Sequence, residues 1–123
     1  MSTPDTYLYH NPRCSKSRAA KAILEERGVG FEVVHYLEDP LTEDDVRSVM
    51  QKLRITDPRQ LMRTKESVYG EIGCDELQGD DLVRAMVAHR ILIERPILVR
   101  GDRAVIGRPP EKVVELLGKP LEG

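Results

Sequence analysis

The chain has no apolar run that approaches the roughly 20 residues needed to cross a bilayer. Its opening, Met1-Ser2-Thr3-Pro4-Asp5-Thr6, lacks the charged and apolar regions of a secretory signal. A cytoplasmic location and no membrane partner are therefore expected. Strong charge of either sign is also missing. A formal net charge of −2 provides no basic field for nonspecific nucleic-acid binding. Cysteine is scarce: Cys14 and Cys74 lie far apart in sequence and make no metal-ligand spacing. A structural disulfide between them is not expected in a reducing compartment. No internal repeat, low-complexity tract or linker breaks the chain. What remains is a length of 123 residues, 40% hydrophobic and 33% charged, which suits one globular domain with one core.

The informative stretch is His10-Asn11-Pro12-Arg13-Cys14-Ser15-Lys16-Ser17-Arg18. It follows the short run Tyr7-Leu8-Tyr9 and contains the turn signal Asn-Pro. Ala19, Ala20, Ile23 and Leu24 then recur at helical spacing. The reading is strand, tight loop and helix, with Cys14 at the helix mouth. Unpaired N–H groups and the positive end of the dipole favour an anion there, either a thiolate or a bound oxyanion. Arg13, Lys16 and Arg18 add positive charge, which is expected to lower the thiol pKa and make Cys14 nucleophilic. A cysteine in a small protein can equally be an inert buried hydrophobe. Against that, Cys14 is flanked by Pro-Arg and Ser-Lys-Ser-Arg and not by apolar residues.

Along the chain, Thr6 to His10 reads as a first strand and Ser15 to Arg27 as a helix with Gly28 just past its end. Phe31 to Tyr36 reads as a second strand, parallel to the first because a crossover helix joins them. Thr42-Glu43-Asp44-Asp45 resembles a capping box ahead of Val46, Val49, Met50 and Leu53 at i, i+3, i+4, i+7. Asp57-Pro58 looks like another helix start, followed by short helical pieces up to Gly79. Asp80-Asp81 opens a helix with Leu82, Val83, Met86 and Val87 on one face, and His89 and Arg90 fall at its negative end. Residues 97–100 and 103–106 flank Gly101-Asp102 as a hairpin. Pro109-Pro110 starts a last helix that Gly118 and Pro120 end.

The order β-α-β, helical middle, β-β-α resembles the thioredoxin-like fold: an α/β domain over residues 1–123, with a four-stranded mixed sheet and a helical insertion at about 42–90. The motifs are similar to those of the arsenate reductase family that works with glutathione and glutaredoxin. The residues that carry the resemblance are His10 to Arg18, His35-Tyr36-Leu37-Glu38-Asp39-Pro40, Leu61-Met62-Arg63, Glu94-Arg95-Pro96-Ile97 and Gly107-Arg108-Pro109-Pro110-Glu111, in that order. The resemblance implies that Cys14 attacks the oxyanion and that Arg63, Arg95 and Arg108 surround it. Guanidinium forks suit such oxygens and do not lose their charge. It also implies a cis Pro96 against the cysteine, whereas X–Pro bonds are ordinarily trans. It implies glutathione as co-substrate, glutaredoxin as partner, no bound metal or organic cofactor, and action as a monomer in arsenic detoxification.

Ser17 stands where a dithiol Cys-x-x-Cys site would have its second cysteine. It is expected either to donate a hydrogen bond to the thiolate or simply to serve as an early helix residue. His10 either shapes the electrostatics of the thiolate or merely ends a strand. Cys74 matches no family motif and is expected to be a bystander. Two other readings share the fold: a glutathione-dependent thiol reductase of another substrate, and an Spx-like transcription regulator. Regulators of that kind typically carry Cys-x-x-Cys and give an arginine triad no purpose.

Overall fold

The computed structural model describes residues 5–117. The chain divides into two compact units: one draws on residues up to His35 and from Arg95 onward, the other on Tyr36–Glu94.

The first unit is built on a four-stranded mixed sheet of order β2-β1-β3-β4, formed by β1 (Thr6–Tyr9), β2 (Glu32–Val34), β3 (Ile97–Arg100) and β4 (Arg103–Ile106). Strand β1 pairs parallel with β2 and antiparallel with β3, and β3 pairs antiparallel with β4. The register sets Leu8 opposite both Val33 and Leu98, and Leu98 opposite Val105. Helix α1 (Ser15–Glu26) makes the crossover, and Gly28 beyond it takes a left-handed φ of +69° that a side chain would resist. Leu8, Ala20, Leu24, Leu98 and Val113 form the core, with Ile23, Phe31 and Leu116 packed against it. The alternation in β1 turns Thr6 and Leu8 inward.

Strand β2 is shorter than the predicted 31–36. Among the described residues this edge strand pairs with β1 alone, and its ladder ends where the N–H of His10 donates to the carbonyl of Val34 at 3.0 Å. The first strand's chain then turns at Asn11-Pro12, so the ladder does not continue to His35 and Tyr36. The last helix begins at Pro110 as expected, but it is a 3-10 helix over Pro110–Leu116. Gly118 and Pro120, expected to end it, lie outside the described residues.

Gly107 joins β4 to this last helix at a position where no side chain fits. A Cβ there would stand 2.9 Å from Cγ of Pro96 and 3.1 Å from Cγ1 of Val113, both fully buried. The Gly107 N–H also donates to the carbonyl of Pro96 at 2.8 Å.

The second unit is helical: α2 (Glu43–Leu53), α3 (Ser67–Glu71) and α4 (Asp80–Ala88), with 3-10 turns at Pro58–Leu61, Cys74–Glu76 and Arg90–Leu92. The Thr42 capping box forms in both directions. The Asp45 N–H donates to Oγ1 of Thr42 at 3.1 Å, and the Thr42 N–H donates to Oδ2 of Asp45 at 2.9 Å, so Asp serves in place of the usual Glu. Val46, Val49 and Met50 of α2 and Leu82, Val83 and Met86 of α4 are the buried faces of two helices in contact. Arginines tie the loops. Arg59 donates from Nε to the Tyr69 hydroxyl at 3.0 Å, and from Nη2 to the carbonyls of Cys74 at 2.8 Å and Leu77 at 2.7 Å. Arg90 donates from Nη1 to the carbonyls of Tyr36 and Asp39. Among the described residues no helix is long and apolar enough to cross a membrane.

Candidate active site

The loop between β1 and α1 is shaped mainly by Asn11, which is buried. Its side-chain Oδ1 accepts from the Arg13 N–H at 3.0 Å, an Asx turn, and its carbonyl accepts from the Cys14 N–H at 2.9 Å. The Asn11 N–H donates to Oγ of Ser17 at 3.3 Å. Cys14 is thereby set as the N-cap residue of α1, in extended conformation and partly exposed. As the N-cap residue it sits at the helix mouth, beside first-turn N–H groups that lack intrahelical partners.

The Cys14 thiol lies below its ordinary pKa. Burial, the largest single influence, pushes it up. Hydrogen bonds from the Ser17 backbone, the Arg95 guanidinium, the Lys16 backbone and the Ser17 hydroxyl together outweigh burial and favour the thiolate. Ser17 is fully buried; its hydroxyl oxygen accepts from the Asn11 N–H, and the hydroxyl also lowers the Cys14 pKa. The helix-start N–H groups act as the sequence suggests, with Lys16 contributing through its backbone, whereas Arg18 uses Nη1 to hold the Pro12 carbonyl at 2.8 Å. The side-chain cation beside the sulfur is Arg95, which sequence order places far from Cys14.

Arg95 sits on the segment entering β3, and the Arg95–Pro96 bond is cis, as the resemblance implies, with Pro96 fully buried. Arg108 follows β4 on the same unit. Its N–H donates to the carbonyl of Ile106 at 2.9 Å, and its bond to Pro109 is also cis. His10 is 5% exposed, and its ring meets that of His35 edge-on at 6.3 Å. Its pKa is lowered, first by burial and then by the charges of His35, Lys21 and Arg18, against an opposing bond to the Ser17 backbone. His10 is therefore neutral near pH 7. A cleft of about 460 Å³ opens beside this loop, lined among others by His10, Pro12, Arg18, Lys21 and His35.

Arg63 belongs to the helical unit. A short antiparallel bridge pairs Met62 with Ile93. Within it the Arg63 N–H donates to the Leu92 carbonyl at 2.7 Å and the Glu94 N–H to the Leu61 carbonyl at 2.8 Å. The Arg63 side chain meets two carboxylates that the sequence reading did not single out. Its Nε donates to Glu66 Oε1 at 3.0 Å, and its Nη1 lies 3.8 Å from Glu94 Oε1. The spacing of Glu66, three residues on, was an available signal; that of Glu94 was not, since only the bridge brings it near.

Cys74 is fully buried in the same unit, and its pKa is raised, mainly by burial. Among the described residues no group of three or more His, Cys, Asp or Glu side chains is arranged to hold a metal ion.

Comparison with known proteins places the chain in a family. An arsenate reductase of Neisseria meningitidis serogroup A is 43% identical over 116 residues, covering 93% of this chain and 99% of that one. An arsenate reductase of Haemophilus influenzae is 45% identical over 112 residues, covering 89% and 97%. The solved structure of an arsenate reductase from Vibrio cholerae superposes with a TM-score of 0.88 at 40% identity, over 94% of this chain and 99% of that one. The model of the ArsC family matches residues 9–116, and the chain, with its thioredoxin-like fold, belongs to the ArsC family.

Proposed function

We propose that the protein is an arsenate reductase whose single nucleophile is Cys14, with glutathione and glutaredoxin as the reductants and the cytoplasm as its place of action. The observation that carries this is the Cys14 sulfur at a helix mouth, its pKa lowered by Arg95, Ser17 and two backbone N–H groups, with Ser17 where a second thiol would stand. The thiolate attacks arsenic, and an oxygen leaves as water after protonation. Arg63, Arg95 and Arg108 bind the charged oxygens through bidentate forks. Glutathione then attacks the adduct. Arsenic takes up two electrons and leaves as arsenite, and the two sulfurs that supply them end as a Cys14–glutathione disulfide. Glutaredoxin restores the thiol by exchange through a further mixed disulfide. The electrons come from thiols, so the scheme calls for no bound metal or organic cofactor, and one chain, acting as a monomer, supplies the nucleophile and the three arginines. His10, neutral at the end of β1, and Pro96, buried beside Arg95, support the site without entering the bond changes.

The test is arsenate-dependent turnover with glutathione and glutaredoxin supplied, together with intact-mass analysis when glutaredoxin is omitted. Turnover with one glutathione on Cys14 is the expected result. A Cys14–Cys74 disulfide as the main product would replace this scheme with an internal thiol cascade. No arsenate-dependent turnover would leave a thiol reductase of another substrate.

A further inference from the structure

Arg63 stands apart from Arg95 in how it is held. Its backbone is fixed by the bridge to residues 92–94, between side chains that are almost wholly buried: Leu61 at 1% exposure, Met62 at 4%, Leu92 at 0% and Ile93 at 3%. Its guanidinium is fixed by carboxylates, Glu66 on Nε at 3.0 Å and Glu94 at 3.8 Å from Nη1. All three side chains are about three-quarters buried, at 22%, 26% and 25% exposure, so the contacts are not freely solvated surface pairs. A guanidinium can receive an oxyanion on two edges, one formed by Nε with an Nη and one by both Nη groups. A carboxylate on Nε closes the first edge; on the second, Glu94 stands 3.8 Å from Nη1, beyond hydrogen-bond distance, so both Nη groups can still donate to an oxyanion.

We infer that Glu66, assisted by Glu94, is a positioning residue for Arg63: by occupying Nε it fixes the plane of the guanidinium and selects the Nη1/Nη2 edge as the one that receives the substrate oxyanion. This rests on the reading of Arg63 as an oxyanion ligand. The inference distinguishes orientation from charge. An orienting acceptor can be replaced by an amide, whose carbonyl oxygen also accepts from Nε. A carboxylate that merely competed with the substrate would, once neutralised, leave Arg63 more attractive to the anion.

The experiment measures steady-state arsenate reduction, with melting temperatures, for Glu66→Ala, Glu66→Gln, Arg63→Ala and the Arg63→Ala/Glu66→Ala double variant. Losing one hydrogen bond to a charged group should raise the KM for arsenate about tenfold in Glu66→Ala, with kcat within about twofold. Glu66→Gln should recover most of that loss, and the double variant should be no worse than Arg63→Ala alone, since the glutamate acts only through the arginine. A KM for Glu66→Gln below that of the wild type would overturn the inference in favour of competition. An unchanged KM in Glu66→Ala, with Arg63→Ala impaired, would overturn it while leaving Arg63 as a ligand. An unimpaired Arg63→Ala would remove the ligand reading itself. Should Glu66→Ala melt early, Glu66→Gln with the double variant still decides.

Discussion

The two cysteines set two regions of the molecule side by side. Cys14 caps a helix in the sheet unit, partly exposed, with donors converging on its sulfur. Cys74 starts a single 3-10 turn in the helical unit and is fully buried. Burial pushes both thiols up, and only at Cys14 is it outweighed. A nearby arginine does not explain the difference. Arg59 donates to the Cys74 carbonyl, and its charge does favour a Cys74 thiolate, yet burial prevails. What Cys74 lacks among its influences is any hydrogen bond to the sulfur. The lowered pKa at this helix mouth thus comes from aimed donors, more than from positive charge in the neighbourhood.

The sharpest break of the comparison is to remove each thiol in turn. Cys14→Ser should abolish arsenate reduction, and Cys74→Ala should leave most of it while lowering the melting temperature, because it opens space in a packed site. Substantial turnover by Cys14→Ser would end the assignment of the nucleophile.

Next in size is an exchange of roles between arginines. Arg95→Ala should lower kcat/KM for arsenate roughly 10- to 150-fold, the worth of a charge-assisted hydrogen bond, and Arg95→Lys should recover only part because the planar fork is lost. Arg108→Ala is expected to fall in the same range. Arg59→Ala, which unties Tyr69 and the carbonyls of Cys74 and Leu77, should instead lower the melting temperature and leave the alkylation rate of Cys14 unchanged. Equal kinetic losses for Arg59→Ala and Arg95→Ala would erase the distinction between clamp and site.

The Ser17 hydroxyl offers a smaller change. Ser17→Ala removes one donor from the sulfur and should cut the rate of Cys14 alkylation at neutral pH by about five- to tenfold, with the midpoint of the pH–rate curve moved upward. A midpoint that stays in place would assign the thiolate to the backbone and Arg95 alone.

The least effect concerns His10. Its folded pKa lies below the ordinary value of about 6.5, so between the two the unfolded chain binds a proton that the folded one does not. Stability should rise with pH through that window and level off above it, and His10→Asn should flatten the rise. Urea midpoints across the acid range would record this, and equal slopes for the two proteins would remove His10 as the cause.

Much of the fold could be read locally. The Thr42 capping box, the Asn11-Pro12 turn and the hairpin around Gly101-Asp102 each depend on residues within a few positions of one another. The placement of Cys14 at the start of α1 is of that kind. The extent of β2 is not, because a strand ends where its partner stops pairing, and β1 gives way to the Asn11 loop. Nor is the part of Arg95 in stabilising the thiolate. The helix-start N–H groups and Ser17 are close to Cys14 in sequence, while Arg95 reaches the sulfur only because β3 lies next to β1. Arginine itself carries no mark of its role: Arg59 and Arg90 serve backbone carbonyls, Arg63 is held by carboxylates, and Arg95 meets a thiol.

Gly107 gives this chemistry a handle that touches none of its groups. A single methyl at 107 has nowhere to go: Val113 backs onto the core and Pro96 is enclosed, and the 2.9 Å and 3.1 Å separations require one of them to yield. Pro96 is the residue after Arg95, so a position with no functional group of its own sets how tightly the chain can pack beside that arginine.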